Sequence, residues 1–162
     1  LGDRVANLRG ALDALVTGGV AIDAVSALYE TPPWGVTDQP SFANAAASGL
    51  TELSARELLT LAKQIEADAG RDFDAPRWTA RPIDVDILQI EGEVIDEADL
   101  VVPHLLLQER AFVLVPLCDI ASGATHSKMR RTFAEMLAAL PLSDRDGVVE
   151  IEPASWYSPR ES

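Results

Sequence analysis

Arg77-Trp78-Thr79-Ala80-Arg81-Pro82-Ile83-Asp84-Val85-Asp86-Ile87-Leu88 reads as a loop that feeds a strand. Apolar and acidic residues alternate from Ile83 to Ile87, the pattern of a strand with one buried face. Residues two apart in a strand share a face and stand about 7 Å apart. Asp84 and Asp86 therefore point one way, and Ile83, Val85 and Ile87 the other. Two neighbouring carboxylates repel, and a divalent cation relieves the repulsion. Hard oxygen ligands favour magnesium, which commonly arrives with phosphates. Arg77 and Arg81 just upstream can supply charge-assisted, bidentate contacts to such phosphates. The stretch reads as a metal–nucleotide site, with an ordinary solvated strand face as the alternative.

Outward from this stretch, the flanking signals predict the remaining elements. Asp3 is placed to cap a helix whose apolar residues Val5, Leu8, Leu12 and Leu15 keep helical spacing up to Gly18-Gly19. Val20–Tyr29 and Ser41–Leu50 read as strands, separated by a loop from Thr31 to Pro40 that its prolines and glycine mark. Ser54-Ala55-Arg56-Glu57 is a capping box that opens a helix through Leu58, Leu61, Ile65 and Glu66, closed by Gly70. Arg71–Arg81 is loop, Ile83–Ile90 strand, and Glu91-Gly92-Glu93 a turn. Helices are expected within Leu105–Leu117 and Ser127–Leu140, and a late strand over Val148–Ile151. The order helix–strand–strand–helix–strand, with hairpin-like neighbours, predicts an antiparallel α+β sandwich. The expected domain runs from 1 to 152, with a C-terminal tail from 153 to 162.

Composition narrows the function. The chain has 162 residues, enough for one domain with its own core, and it carries no apolar run long enough to cross a bilayer. A net charge of −13 argues against nucleic acid or an anionic membrane as partner. Any phosphate ligand must be held by local arginines and metal. The single cysteine, Cys118, lies in the apolar run Phe112–Ile120 and reads as a buried thiol, which fits a reducing cytoplasm. No apolar stripe is left over for a partner, so a monomer is expected.

Several ordered motifs at matching spacing resemble the 6-hydroxymethyl-7,8-dihydropterin pyrophosphokinase family of the folate pathway. The resemblance runs through Leu1-Gly2-Asp3-Arg4, Ser26–Gly35 (SALYETPPWG), Gln39–Asn44, Glu66 with Gly70-Arg71, Arg77–Leu88, Pro103-His104 and Arg110–Leu114. It implies a ferredoxin-like α+β fold that transfers pyrophosphate from ATP to the pterin hydroxymethyl group and releases AMP. By the same resemblance, Asp84 and Asp86 hold two magnesium ions, while Arg77 and Arg81 reach the ATP phosphates from a loop that closes over the site. Glu66, Arg71, Trp78, His104 and Arg110 match nucleotide contacts. Thr31, Pro32, Trp34, Phe42, Asn44 and Phe112 match the pterin site, with Phe42 and Phe112 as its stacking pair. A flat heterocycle needs stacking faces and edge hydrogen bonds, and the Asn44 amide offers both donor and acceptor.

The chain departs from the family pattern in the loop. Thr79-Ala80 stands where Gly-Pro is usual, Phe73 where many members carry an arginine, and Trp34 where some have a smaller residue. The family carries a strand before the residues matching Leu1-Gly2, central in a ferredoxin-like sheet, and that strand is expected to precede Leu1 in the protein. Two other functions fit part of the pattern. One is a catalytically weakened domain that binds pterin or nucleotide, and the other a different magnesium-dependent nucleotidyl transferase.

Overall fold

The computed structural model describes residues 4–31, 42–70 and 83–158. Helix α1 (Arg4–Thr17) forms where the apolar spacing predicts it, and Gly19, at a φ of 115°, turns the chain into β1 (Val20–Val25). Strand β1 pairs antiparallel with β4 (Ala47–Thr51), and the register slips between Ile22 and Ala24. Gly49 sits opposite Ile22, where a Cβ would overlap the Ala21 carbonyl, so only glycine allows the strands this close.

Each of the two long strands expected here is two short ones. Val20–Tyr29 divides into β1 and β2 (Leu28–Thr31), and Ser41–Leu50 into β3 (Phe42–Asn44) and β4. The break is held by Ser26, which is fully buried. Its N–H donates to the Ala46 carbonyl at 2.8 Å, and its hydroxyl accepts the Ala46 N–H at 2.9 Å and donates to the Ala27 carbonyl. A side chain thus replaces the ladder for one step, and both strands change sheet there. Beyond the break, β2 pairs antiparallel with β3 and with β7 (Val149–Glu152), giving the order β3-β2-β7.

Helix α2 (Ala55–Ala69) starts at the predicted capping box. The Ser54 hydroxyl accepts the Glu57 N–H at 3.1 Å, and the Glu57 carboxylate accepts the Ser54 N–H at 3.0 Å. The hairpin of β5 (Ile95–Glu97) and β6 (Leu100–Val102) follows, then α3 (Ala111–Ala121), α4 (Phe133–Ala139) and α5 (Leu142–Asp146). Leu107, Leu114, Leu117, Phe133 and Met136 form the largest buried cluster, where α3 meets α4. The architecture is α+β, as expected, and among the described residues every ladder is antiparallel and the strands form three small sheets. No helix among the described residues is long and apolar enough to cross a membrane.

Three stretches differ from expectation. Ile83–Ile90 has no ladder partner among the described residues. Its backbone groups pair elsewhere: the Val85 N–H donates to the Glu66 carboxylate, and the Leu88 carbonyl accepts the His104 N–H. Helix α4 starts at Phe133 because Thr132 and Glu135 form a second capping box. The residues before it wrap around buried His126, whose Nδ1 accepts the N–H groups of Lys128 and Met129 at 3.2 and 3.0 Å. The expected tail is not loose at its start. Trp156 and Tyr157 are buried against Leu28; the Trp156 indole donates to the Ser26 carbonyl at 2.8 Å, and the Tyr157 hydroxyl to Asp13 at 2.9 Å.

Trp156→Ala should cost about 3–5 kcal/mol in urea unfolding, since it empties a core position and leaves the Ser26 carbonyl unpaired. A loss under about 1 kcal/mol would mean that this packing contributes little. Burial, helped by Lys128, holds the His126 pKa below its ordinary 6.5. The unfolded chain takes up that proton near 6.5 and the folded chain resists it. The stabilisation is therefore whole above about pH 6.5 and is lost as pH falls below it toward the folded value. Urea midpoints should drop from about pH 7 to about pH 5.5, and drop less steeply in His126→Gln. Equal slopes in the two proteins would rule out His126 as the cause.

Candidate active site

The alternation of Ile83–Ile87 survives without a ladder. Ile83 is buried with Ala11 and Ile65, Val85 packs against the same cluster, and Ile87 packs against Leu100 and Val102. Asp84 and Asp86 are both exposed, on the side away from that core. The segment is pinned from behind. Glu66 Oε2 accepts the Val85 N–H at 2.8 Å, and the Glu66 side chain retains only 8% of its exposure. Its other oxygen lies 3.4 Å from the Lys63 ammonium. Glu66, expected at the nucleotide, thus reaches the backbone between the two aspartates.

His104 borders the same segment. Its backbone N–H donates to the Leu88 carbonyl at 2.8 Å, and its Nδ1 accepts the Leu106 N–H at 3.4 Å. Six residues on, Arg110 caps α3 with its guanidinium carbon 5.6 Å from the centroid of the Phe112 ring. A residue expected at the nucleotide therefore touches one expected at the pterin.

On the β2–β3 hairpin, Thr31 stands across from Phe42, and Tyr29 across from Asn44. The Asn44 amide donates to the Thr31 hydroxyl at 2.9 Å, so these two expected pterin residues are already in contact. Phe42 is 53% exposed, a large apolar surface facing solvent at the sheet edge. Helix α3, which begins with Arg110 at its N-cap and Phe112 in its first turn, packs across β2 and β3. Pro32, Trp34, Arg71, Arg77, Trp78 and Arg81 lie outside the described residues, as do Phe73, Thr79 and Ala80.

Residues 1–122 match the 7,8-dihydro-6-hydroxymethylpterin-pyrophosphokinase family. The chain belongs to that family. It is 44% identical over 153 residues to the 2-amino-4-hydroxy-6-hydroxymethyldihydropteridine pyrophosphokinase of Methylorubrum extorquens, covering 94% of this chain and 93% of that protein. A protein of the same name from Bacillus subtilis is 43% identical over 74% of this chain and 72% of its own length. The mitochondrial folate synthesis bifunctional protein of Arabidopsis thaliana is 46% identical over 76% of this chain, which spans 22% of that longer protein.

For a member of the pyrophosphokinase family, the donor set suits magnesium. Two exposed carboxylates offer hard oxygens, and magnesium is usually held by one or two protein carboxylates with phosphates completing its shell. No group of three or more ligating side chains occurs among the described residues, so the aspartates would depend on the nucleotide for the remaining ligands.

Sequence reasoning missed the contact between the hairpin and α3. Asp119 Oδ2 accepts the Tyr29 hydroxyl at 2.7 Å and the Ala27 N–H at 3.1 Å. Burial first, then Asp119, raises the Tyr29 pKa well above its ordinary 10, so the phenol stays a donor. These partners are 90 positions apart, and no local pattern announces them.

Glu66→Ala should lower stability by about 1–3 kcal/mol, because the Val85 N–H then has no partner in a buried place. Amide exchange at Val85 should quicken by more than in Glu66→Gln, whose carbonyl oxygen can still accept. Unchanged exchange in the alanine variant would show that Glu66 does not hold this segment.

Proposed function

We propose that Asp84 and Asp86 hold the metal of a pyrophosphoryl transfer from ATP to 6-hydroxymethyl-7,8-dihydropterin. The hydroxymethyl oxygen bonds to the β-phosphorus, the bond from that phosphorus to the α,β-bridging oxygen breaks, and AMP departs. The alcohol gives up its proton, and the pterin diphosphate is the other product. Two magnesium ions at the aspartates would neutralise and orient the triphosphate oxygens. Catalysis of this kind rests on positioning and charge neutralisation.

The observation that carries the reading is the seating of Asp84 and Asp86, exposed on one face while Ile83, Val85 and Ile87 pack inward. The protein's own residues divide the remaining work. Glu66 fixes the backbone from which both aspartates project. Arg110 and His104 approach the phosphates or ribose, and Arg71, Arg77, Arg81 and Trp78 complete the nucleotide side. Phe112 and Phe42 stack on the pterin faces. Thr31 and Asn44 meet its edge, with Pro32 and Trp34 alongside. Arg110 against the Phe112 ring supports one continuous site, in which ATP and pterin lie next to each other. Burying the reactants under the Arg71–Arg81 loop would exclude water, the competing acceptor for the transferred group. The enzyme acts on small molecules as a cytoplasmic monomer, and the charge of −13 supports a reading without nucleic acid.

With ATP, magnesium and the hydroxymethyl dihydropterin, AMP and the pterin diphosphate should form in equal amounts. Asp84→Ala or Asp86→Ala should lower kcat at least about 100-fold, while the pterin affinity in calorimetry stays within about threefold. Pyrophosphate as product, with AMP left on the acceptor, would identify a nucleotidyl transferase instead. Pterin binding with no AMP would identify a binding domain. Full turnover in both alanine variants would remove the aspartates from the metal site.

A further inference from the structure

Tyr29 and Asn44 face each other across the β2–β3 ladder, as do Thr31 and Phe42. Directly opposed residues project to one side of an antiparallel pair, and so do residues two apart along a strand. All four side chains therefore share one face of the hairpin. The hydrogen bond from Asn44 to Thr31 agrees with this. On α3, Phe112 and Asp119 are seven positions apart, two turns, and so lie on one stripe. Asp119 binds the Tyr29 hydroxyl and the Ala27 N–H, so this stripe is the one turned toward the hairpin.

We propose that Tyr29 and Asp119 are positioning residues for the pterin: their hydrogen bond fixes how far the Phe112 face of α3 stands from the hairpin face of Thr31, Phe42 and Asn44. The inference rests on the pterin site proposed above. A flat ring held between two aromatic faces makes a contact of about 3.5–4 Å on each side, so the faces must stay about 7–8 Å apart. Shifts well below 1 Å already cost much of such contacts. The strut is suited to hold that spacing. Tyr29 is buried, and its hydroxyl meets a carboxylate oxygen that a second donor, the Ala27 N–H, fixes from another direction. Among the described residues no hydrogen bond or ion pair joins Tyr29 or Asp119 to Asp84, Asp86 or His104, the residues of the proposed nucleotide side. The strut should therefore act on one substrate and spare the other.

Tyr29→Phe deletes the hydroxyl and keeps the ring. Calorimetry with α,β-methylene-ATP and magnesium, and then with hydroxymethyl dihydropterin at saturating analogue, should show pterin affinity weakened about tenfold and analogue affinity within about twofold. Asp119→Ala should shift the pterin in the same direction and serves if the tyrosine variant does not fold. The decisive measurement is the double variant Tyr29→Phe/Phe112→Ala. If Tyr29 acts through the spacing of Phe112, its change should weaken pterin binding less than about twofold once Phe112 is gone. Equal weakening of both ligands, unchanged pterin affinity in Tyr29→Phe, or fully additive effects in the double variant would overturn the proposal. Should Phe112→Ala alone leave pterin affinity unchanged, the pterin-stacking assignment itself fails, a result distinct from failure of the strut.

Discussion

Glu66 places a carboxylate in a nearly closed environment and gives one oxygen to the N–H of Val85. Burying a carboxylate is costly unless its oxygens are hydrogen-bonded, and that cost makes this contact hard to slide. If Val85 moved by one residue, the alternation would invert, turning Asp84 and Asp86 into the core and Ile83 and Ile87 to water. In a ladder, register is protected by many bonds. Here the segment has no ladder among the described residues, so side-chain contacts from α2 and the His104–Leu88 bond do that work. Helix α1 depends on the same register, because Ile83 completes the cluster in which Ala11 packs against Ile65.

The elements best read from the sequence are those whose ends are set locally. Helix α2 begins and ends where Ser54, Glu57 and Gly70 say it must, because capping is settled within four residues. Helix α1 was legible from its apolar spacing and its end at Gly18-Gly19, and strand β7 from its run of valine and isoleucine. The Thr132–Glu135 capping box was equally readable and passed unnoticed, which placed the start of α4 several residues early. What could not be read depends on distant partners. Nothing near Ser26 announces that its hydroxyl will replace a rung of the ladder by meeting Ala46, and nothing near Trp156 announces Ser26. Alternation correctly sorted Asp84 from Val85 but could not say whether a neighbouring strand would be present.

The site shows the same division. Residue chemistry alone marked the aspartates and the arginines. Phe42 and Phe112 entered only through resemblance, since an aromatic residue in an apolar run is ordinarily core, and so did Thr31; an amide such as Asn44 in an apolar strand already calls for partners. The structure brings Thr31, Phe42 and Asn44 to one hairpin and sets Arg110 against Phe112. A chain with a charge of −13 can still attract a polyphosphate, because cations close to the ligand outweigh distant anions that the solvent screens. In the plant bifunctional relatives the matching region is only about a quarter of a longer chain or less.

The indole of Trp156 reaches a carbonyl 130 positions earlier, at the point where β1 gives way to β2. A ribosome makes the chain in one direction, at roughly 5–20 residues per second. Helices α1 and α2 can form during that time, but the joint at Ser26 has to wait several seconds for its last partner. Until Trp156 emerges, Val5, Leu8 and Leu12 of nascent α1 can pack on Leu28 but lack the indole that completes their cover.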